Sequence, residues 1–220
     1  MQRILAKDTV GEIGKEVLLA GWVMTVRAHG KLAFFDLKDR SGIIQVGIFE
    51  PSLIKLVNSL GQQDAVEVVG KVKQREEKYI NPNSPLGTVE IEASKVSVIA
   101  KAQTLPFDMG GKDLVLELPT LLDHRSLTLK HPKIQKIFKV QADLASEFRK
   151  AAEELDCVEI FVPTIAAGAT EGGAEVFKVD YYGDQAFLTQ SPQLYKQIMV
   201  GVFERVFTIA KAYRAEPSVT

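Results

Sequence analysis

A single cysteine, Cys157, stands in a chain of 220 residues, which excludes an internal disulfide framework and suits a reducing compartment. Surplus charge is missing too. Lys and Arg number 27 against 28 Asp and Glu, a formal net charge of −1 at pH 7, so bulk electrostatics cannot draw the chain to nucleic acid. Any RNA contact must come from local patches and stacking. The opening residues Met1 to Asp8 lack the apolar stretch of a secretory signal, and no apolar run approaches the length of a membrane span. A cytoplasmic location is expected. What remains is ordinary globular composition, 46% hydrophobic and 25% charged, enough for one large domain or two small ones.

The first hundred residues read as strands around one helix. Glu16 to Arg27 is a long apolar run with β-branched and aromatic members, closed by a turn at Ala28-His29-Gly30. Leu32 to Leu37 and Ile43 to Phe49 follow, split by Asp39-Arg40-Ser41-Gly42. Pro51 to Leu60 has helical spacing. Ala65 to Val72 and Thr88 to Val98 alternate as two further strands across a polar loop from Gln74 to Gly87. Three strands, a helix and two strands is the element order of the five-stranded OB-fold barrel, a frequent binder of oligonucleotides. Phe34 and Phe35 are adjacent in a strand, so one faces away from the core, where a Phe can stack on a base. Gln45, on the neighbouring strand, has the amide needed to read a base edge. Arg27, before the turn, can meet phosphate or a base. On the residues alone, the plainer reading of Phe34 is an isolated apolar side chain on a barrel surface. Asp36 and Lys38 read as a solvated strand end.

Residues 101 to 130 carry Pro106, Gly110, Gly111 and Pro119 without a sustained period, the pattern of a linker with a short hinge helix near Lys112 to Leu118. No titratable partner of matching role stands near His124 in sequence, so no acid–base role is assigned to it, and His131 before Pro132 reads as a helix approach. From Pro132 a long helix is expected. Ile134, Ile137, Phe138, Leu144, Phe148, Ala151, Ala152 and Leu155 recur at three- and four-residue steps, with Lys136, Asp143 and Glu147 facing away. A strand over Val158 to Val162 ends at Pro163. Ile165 to Phe177 is rich in Ala and Gly, and its adjacent Gly172 and Gly173 permit the backbone of a closing loop around Glu171. Ala186 to Leu188 then leads through Ser191-Pro192 into a helix with Pro at its first position, which puts Gln193 and Lys196 on one face. A strand over Val206 to Ala212 carries Arg214 and Glu216 to one side. One Lys, one Arg, one Glu and two Gln converge, as a pocket for a charged substrate requires.

Thr170-Glu171-Gly172-Gly173-Ala174-Glu175-Val176-Phe177 and Gln190-Ser191-Pro192-Gln193-Leu194-Tyr195-Lys196-Gln197 resemble the substrate loops of the class II aminoacyl-tRNA synthetases. Among these the chain is most similar to the aspartyl-tRNA synthetases of archaeal-like type. The resemblance implies an α+β chain: an OB-fold anticodon-binding domain over 1–103, a hinge over 104–130, and over 131–220 the start of an antiparallel α/β catalytic domain. It implies a ligase that attaches L-aspartate to tRNA(Asp), with His29 pointing to tRNA(Asn) as a second acceptor, by way of an aspartyl-adenylate made from ATP. For His29 a plain polar turn residue beside Gly30 stays open. Phe34 would stack on an anticodon base, Gln45 would hydrogen-bond the middle one, His29 would lie near the third position, and Arg27 would belong to the same anticodon-binding stretch. Glu171 would bind the substrate ammonium with Gln193 beside it, Lys196 would pair with the side-chain carboxylate, and Arg214, from motif 2, would span carboxylate and α-phosphate. Glu216 would hold ATP. The long helix with Pro163 matches motif 1 and implies a homodimer. No metal site is expected within the chain; the ligands of the Mg²⁺ that accompanies ATP, and the arginine of motif 3, are expected beyond residue 220. The resemblance covers about the first half of a family member, so these residues alone are expected not to aminoacylate. A non-catalytic tRNA-binding half-synthetase, or an asparaginyl- or lysyl-tRNA synthetase, are the alternatives.

Overall fold

In the computed structural model, residues 1–30, 32–111, 113–168 and 175–216 are described, apart from the His29 side chain. The chain divides into two compact units, Met1–His131 and Pro132–Thr220.

Alternation builds the first unit. Strands β1 (Glu16–His29), β2 (Leu32–Lys38), β3 (Ile43–Ile48), β4 (Ala65–Gln74) and β5 (Val89–Ala100) close into a barrel in the order β1-β2-β3-β5-β4. Every pairing is antiparallel except β3 with β5, where Val46 lies opposite Ile91 and Gly47 opposite Glu92. Successive side chains leave a strand on opposite faces, so Phe35 and Leu37 enter the core while Phe34 and Asp36 stay outside. Val23, Val46, Ile48, Val66, Val68, Val89 and Ile91 complete a core in which Phe35 is fully buried. Helix α1 (Pro51–Asn58) opens on a proline and seals the barrel with Val57. Where β1 crosses the end of β2, only a glycine fits: a Cβ on Gly21 would land on the Lys38 carbonyl, well inside van der Waals contact. Gly21→Ala is therefore expected to destabilise the barrel by roughly 1–2 kcal/mol, measurable as a lower urea midpoint.

A 3₁₀ turn over Ala6–Glu12 covers one end of the barrel. Asp39, 4% exposed, fastens it. Its carboxylate accepts from the backbone N–H groups of Ala6 (2.7 Å), Ser41 (2.7 Å) and Gly42 (3.1 Å), and from the Ser41 hydroxyl (2.6 Å). Burial pushes the Asp39 pKa up, but the bonds from Ser41, Ala6 and Gly42 outweigh it and hold the group below the usual carboxylate range.

The segment after β5 is fastened to the barrel. Asp64 receives Lys101 Nζ at 2.8 Å and the N–H of Ala102 at 2.8 Å, and Gln62 accepts from the N–H of Met109 at 3.0 Å. Met109 is fully buried. The short hinge helix expected near Lys112 to Leu118 is not helical over 113–117; the helices are α2 (Leu118–Asp123) and α3 (Arg125–Thr128). Pro119 explains the shift, because a proline in the first turn starts a helix rather than ending one. His131 is not a bare helix approach: it is 2% exposed, with Nε2 3.2 Å from the Gly111 carbonyl. His124 packs edge-on against Phe107 with ring centroids 5.5 Å apart. Lys38, expected in solvent, is buried and donates to the Lys130 carbonyl.

The second unit starts with α4 (Pro132–Glu154). A parallel pair follows, β6 (Val158–Glu159) with β10 (Val206–Phe207), and an antiparallel sheet of β7 (Ile165–Ala166), β9 (Asp184–Leu188) and β8 (Lys178–Tyr181) in that order. The β8–β9 turn at Tyr182-Gly183 has φ of 54° and 93°, the left-handed pair that a two-residue hairpin favours. Helix α5 runs from Gln193 to Phe203 with Pro192 as its N-cap rather than its first residue, and Ser191 Oγ accepts from the Gln193 N–H at 3.1 Å. Two strands are shorter than their apolar runs suggested. Ladder pairing stops at Glu159 and Phe207, because the runs to Val162 and Ala212 have no continuing partner strand among the described residues. The apolar face of α4 is only partly covered: Ile134 and Ala152 are buried, whereas Ile137, Leu144, Phe148 and Leu155 are each more than half exposed.

Candidate functional site

Strands β1, β2, β3 and β5 bring a row of polar and aromatic side chains to one outer face of the barrel. Arg27 of β1 lies opposite Phe34 of β2, Asp36 opposite Gln45 of β3, and the closing pair of β3 and β5 sets Glu90 beside Gln45. Arg27 grips Asp36 with two bonds, at 3.1 and 3.0 Å, and reaches the Gln45 oxygen at 3.2 Å. Gln45 Nε2 donates to Glu90 at 3.0 Å, and Arg75 Nε stands 3.5 Å from that carboxylate, close enough for an ion pair without hydrogen-bond geometry. Asp36, expected as a solvated strand end, is instead half-buried and takes a further bond from Thr25 at 2.5 Å.

Beside this row is a groove of about 550 Å³ lined by Phe34, Phe49, Gln45, Arg75, Tyr79 and Glu90 among others. Phe34 and Phe49 meet edge to face with centroids 6.0 Å apart, which leaves the face of a ring free to stack. Tyr79 is 63% exposed, with Lys78 Nζ 4.7 Å above its ring. The groove therefore offers π-faces, cations and a fixed amide together, the elements of single-stranded RNA recognition. Sequence reasoning placed Arg27, Phe34 and Gln45 here and missed Phe49, Arg75, Tyr79 and Glu90. The aromatic Tyr79 in an otherwise polar loop was the one available signal.

In the second unit, backbone bonds draw three segments together, 175, 189–190 and 213–215. Thr189, at the end of β9, accepts from the Tyr213 N–H at 3.0 Å, and Glu175 accepts from the Ala215 N–H at 3.1 Å and from Gln190 Nε2 at 3.4 Å. Thr189 and Gln190 are buried. Arg214 and Glu216 project from this edge and are exposed. The first turn of α5 carries Gln193, exposed, and Lys196, half-buried. Among the described residues neither Lys196 nor Arg214 makes an ion pair, so both cations are open to an anionic substrate. Glu171 lies outside the described residues, as does Pro217. Among the described residues no group of three or more His, Cys, Asp or Glu could hold a metal ion, and no helix is long and apolar enough to cross a membrane.

A five-stranded OB barrel bearing a stacking groove, followed by strand and helix segments that carry two cations without an ion pair among the described residues, defines a nucleic-acid-binding module joined to the start of a catalytic domain. Residues 117–220 match the family "tRNA synthetases class II (D, K and N)", and residues 17–99 match "OB-fold nucleic acid binding domain", so the chain carries a class II tRNA synthetase domain behind an OB-fold domain. It is 41% identical over 209 residues to the aspartate–tRNA(Asp/Asn) ligase of Methanococcus vannielii, a match over 92% of this chain and 46% of that protein. It is 40% identical to the aspartate–tRNA(Asp) ligase of Thermococcus kodakarensis, with the same coverage of both. Asparaginyl-tRNA synthetase of Pyrococcus horikoshii, solved with asparaginyl-adenylate, superposes with a TM-score of 0.87 at 30% identity, covering 100% of this chain and 50% of that one. The chain spans about half the length of the curated relatives it matches.

Proposed function

We propose that this chain serves an enzyme that joins L-aspartate to tRNA(Asp), with tRNA(Asn) as a second acceptor, and that its barrel, 1–103, reads the anticodon. The observation that carries this reading is the meeting of the 213–215 backbone with Thr189 and Glu175 beside the α5 turn that bears Lys196. Aspartate presents two carboxylates and an ammonium. Lys196 would take the side-chain carboxylate; a half-buried ammonium disfavours the neutral amide of asparagine, which would leave the charge unpaired. Glu171 would bind the substrate ammonium with help from Gln193. The α-carboxylate attacks the α-phosphorus of ATP, the bond to pyrophosphate breaks, and the ribose hydroxyl of tRNA then displaces AMP from the acyl carbon. Arg214, planar and always charged, would neutralise the negative charge shared by carboxylate and phosphate, while Glu216 steadies ATP from the same edge. No side chain need act as nucleophile, so the contribution is positioning and charge. Mg²⁺ would accompany ATP and share in neutralising its phosphates.

Phe34 would stack on the middle anticodon base, Gln45 would hydrogen-bond it, and Arg27 would hold this end of the loop. Residues 104–130 would join the barrel to a catalytic part beginning at 131. The exposed apolar face of α4 supports a homodimer contact. A cytoplasmic location follows from the same reading. Likeness to an asparaginyl-tRNA synthetase favours a second reading, activation of asparagine, against which Lys196 weighs. Amino-acid-dependent exchange of pyrophosphate into ATP by the full-length protein separates them. Stimulation by aspartate is expected, and stimulation by asparagine or lysine instead overturns the assignment. Labelled aspartate should also pass to an asparagine tRNA transcript, as His29 at the turn implies; strict refusal limits the enzyme to tRNA(Asp).

A further inference from the structure

The Gln45 amide is held at both ends. Arg27 Nη2 donates to its oxygen at 3.2 Å, and its nitrogen donates to Glu90 Oε2 at 3.0 Å. A side-chain amide turned by half a revolution exchanges oxygen and nitrogen within the same volume, so shape does not choose between the two orientations. Charge chooses here. Turned over, the amide would set its oxygen against the Glu90 carboxylate and its NH₂ group against the Arg27 guanidinium, two repulsive contacts in place of two attractive ones. The guanidinium cannot swing away easily, because Asp36 grips it bidentately at 3.1 and 3.0 Å and Thr25 Oγ1 holds Asp36 in turn at 2.5 Å.

Orientation decides which pyrimidine fits. On adjacent positions of its pairing edge, uracil shows the O4 acceptor beside the N3–H donor, whereas cytosine shows the N4 donor beside the N3 acceptor. An amide offering N–H and oxygen in one order matches uracil; the reversed amide matches cytosine. We propose that Asp36, acting through Arg27 and opposite Glu90, locks the Gln45 amide in a single orientation and so lets this face tell uracil from cytosine. Asp36 is a positioning residue: its oxygens are committed to Arg27 and Thr25, and its effect on a base passes through Gln45. The inference rests on the reading of this face as an anticodon site, where aspartate and asparagine anticodons alike carry uracil in the middle.

The test titrates the protein, at one fixed salt concentration, with two labelled anticodon stem-loop RNAs that differ only in U or C at the middle position, followed by fluorescence anisotropy. Wild type is expected to bind the U loop roughly five- to hundredfold more tightly, the span of a bidentate base contact. Asp36→Asn should bring that ratio to within about threefold of unity, as the loss of a bidentate preference requires. It should do so partly by strengthening the C loop, which a merely structural defect would not do. Thr25→Val removes only the outer anchor and should lower the ratio in the same direction, and the intrinsic fluorescence of Trp22 checks that both variants fold. A ratio that persists in both variants but vanishes in Gln45→Ala overturns the clamp and leaves the anticodon reading standing. A wild type that binds both loops equally, or neither, overturns both.

Discussion

Replacing Asp39 by alanine will cost the barrel about 3 kcal/mol or more, because it orphans the Ala6 N–H in a buried setting and strips two further backbone donors and a hydroxyl of their acceptor. The chain has a single tryptophan, Trp22 in β1, so urea unfolding followed by its fluorescence reports the barrel and not the second unit. The acid dependence carries a sign that identifies the cause. Since the folded-state pKa of Asp39 lies below its ordinary value, the stability it contributes is fully present above that ordinary value and fades as pH falls through the folded one. The wild-type and Asp39→Ala curves should therefore lie far apart at neutral pH and draw together in strong acid. Equal urea midpoints at neutral pH would show that the 3₁₀ turn is held by something other than this carboxylate.

Phe34→Ala will weaken binding of an anticodon stem-loop by about 1–3 kcal/mol, roughly five- to hundredfold, which is the span measured when a stacking aromatic is removed from a single-strand binder. Phe34 lies outside the core, next to the fully buried Phe35, so the substitution should leave the unfolding midpoint almost unchanged. Phe49 adds to the effect by bracing Phe34 edge to face, and Phe34→Trp should restore most of the affinity. With a net charge of −1 the protein has little bulk attraction to RNA, so stacking should account for an unusually large share of the binding and the salt dependence should be shallow. Undiminished affinity in Phe34→Ala would remove the barrel groove from the recognition of RNA.

Local periodicity was enough to find the barrel strands and the long helix. Alternation from Glu16, Leu32, Ile43, Ala65 and Val89 is a property of neighbouring residues, and so is the three- and four-residue recurrence that starts at Pro132. The charge-bearing segments of the second unit were legible through motif resemblance, which also said which residues to pair. Where a strand ends is a different kind of fact. The apolar runs to Val162 and Ala212 have the composition of strands but lack a continuing partner, and without a partner there is no ladder. Pro119 was ambiguous for a similar reason, since a proline both ends helices and begins them, and only the chain around it decides.

The amino-acid sequence by itself determined the element order, the outward place of one of two adjacent phenylalanines, and the chemistry of the residues proposed to meet a base or an amino acid. Tertiary structure alone decided which side chains constrain those residues. Gln45 and Glu90 are 45 residues apart, and they meet only because β3 and β5 close the barrel in parallel. Asp39 reaches Ala6 across 33 residues, and Lys38 reaches the Lys130 carbonyl across 92. Asp36 looked like a solvated carboxylate until the register of β1 and β2 set it against Arg27. Such pairings depend on barrel closure, a cooperative property of the whole sheet that no local window of sequence contains.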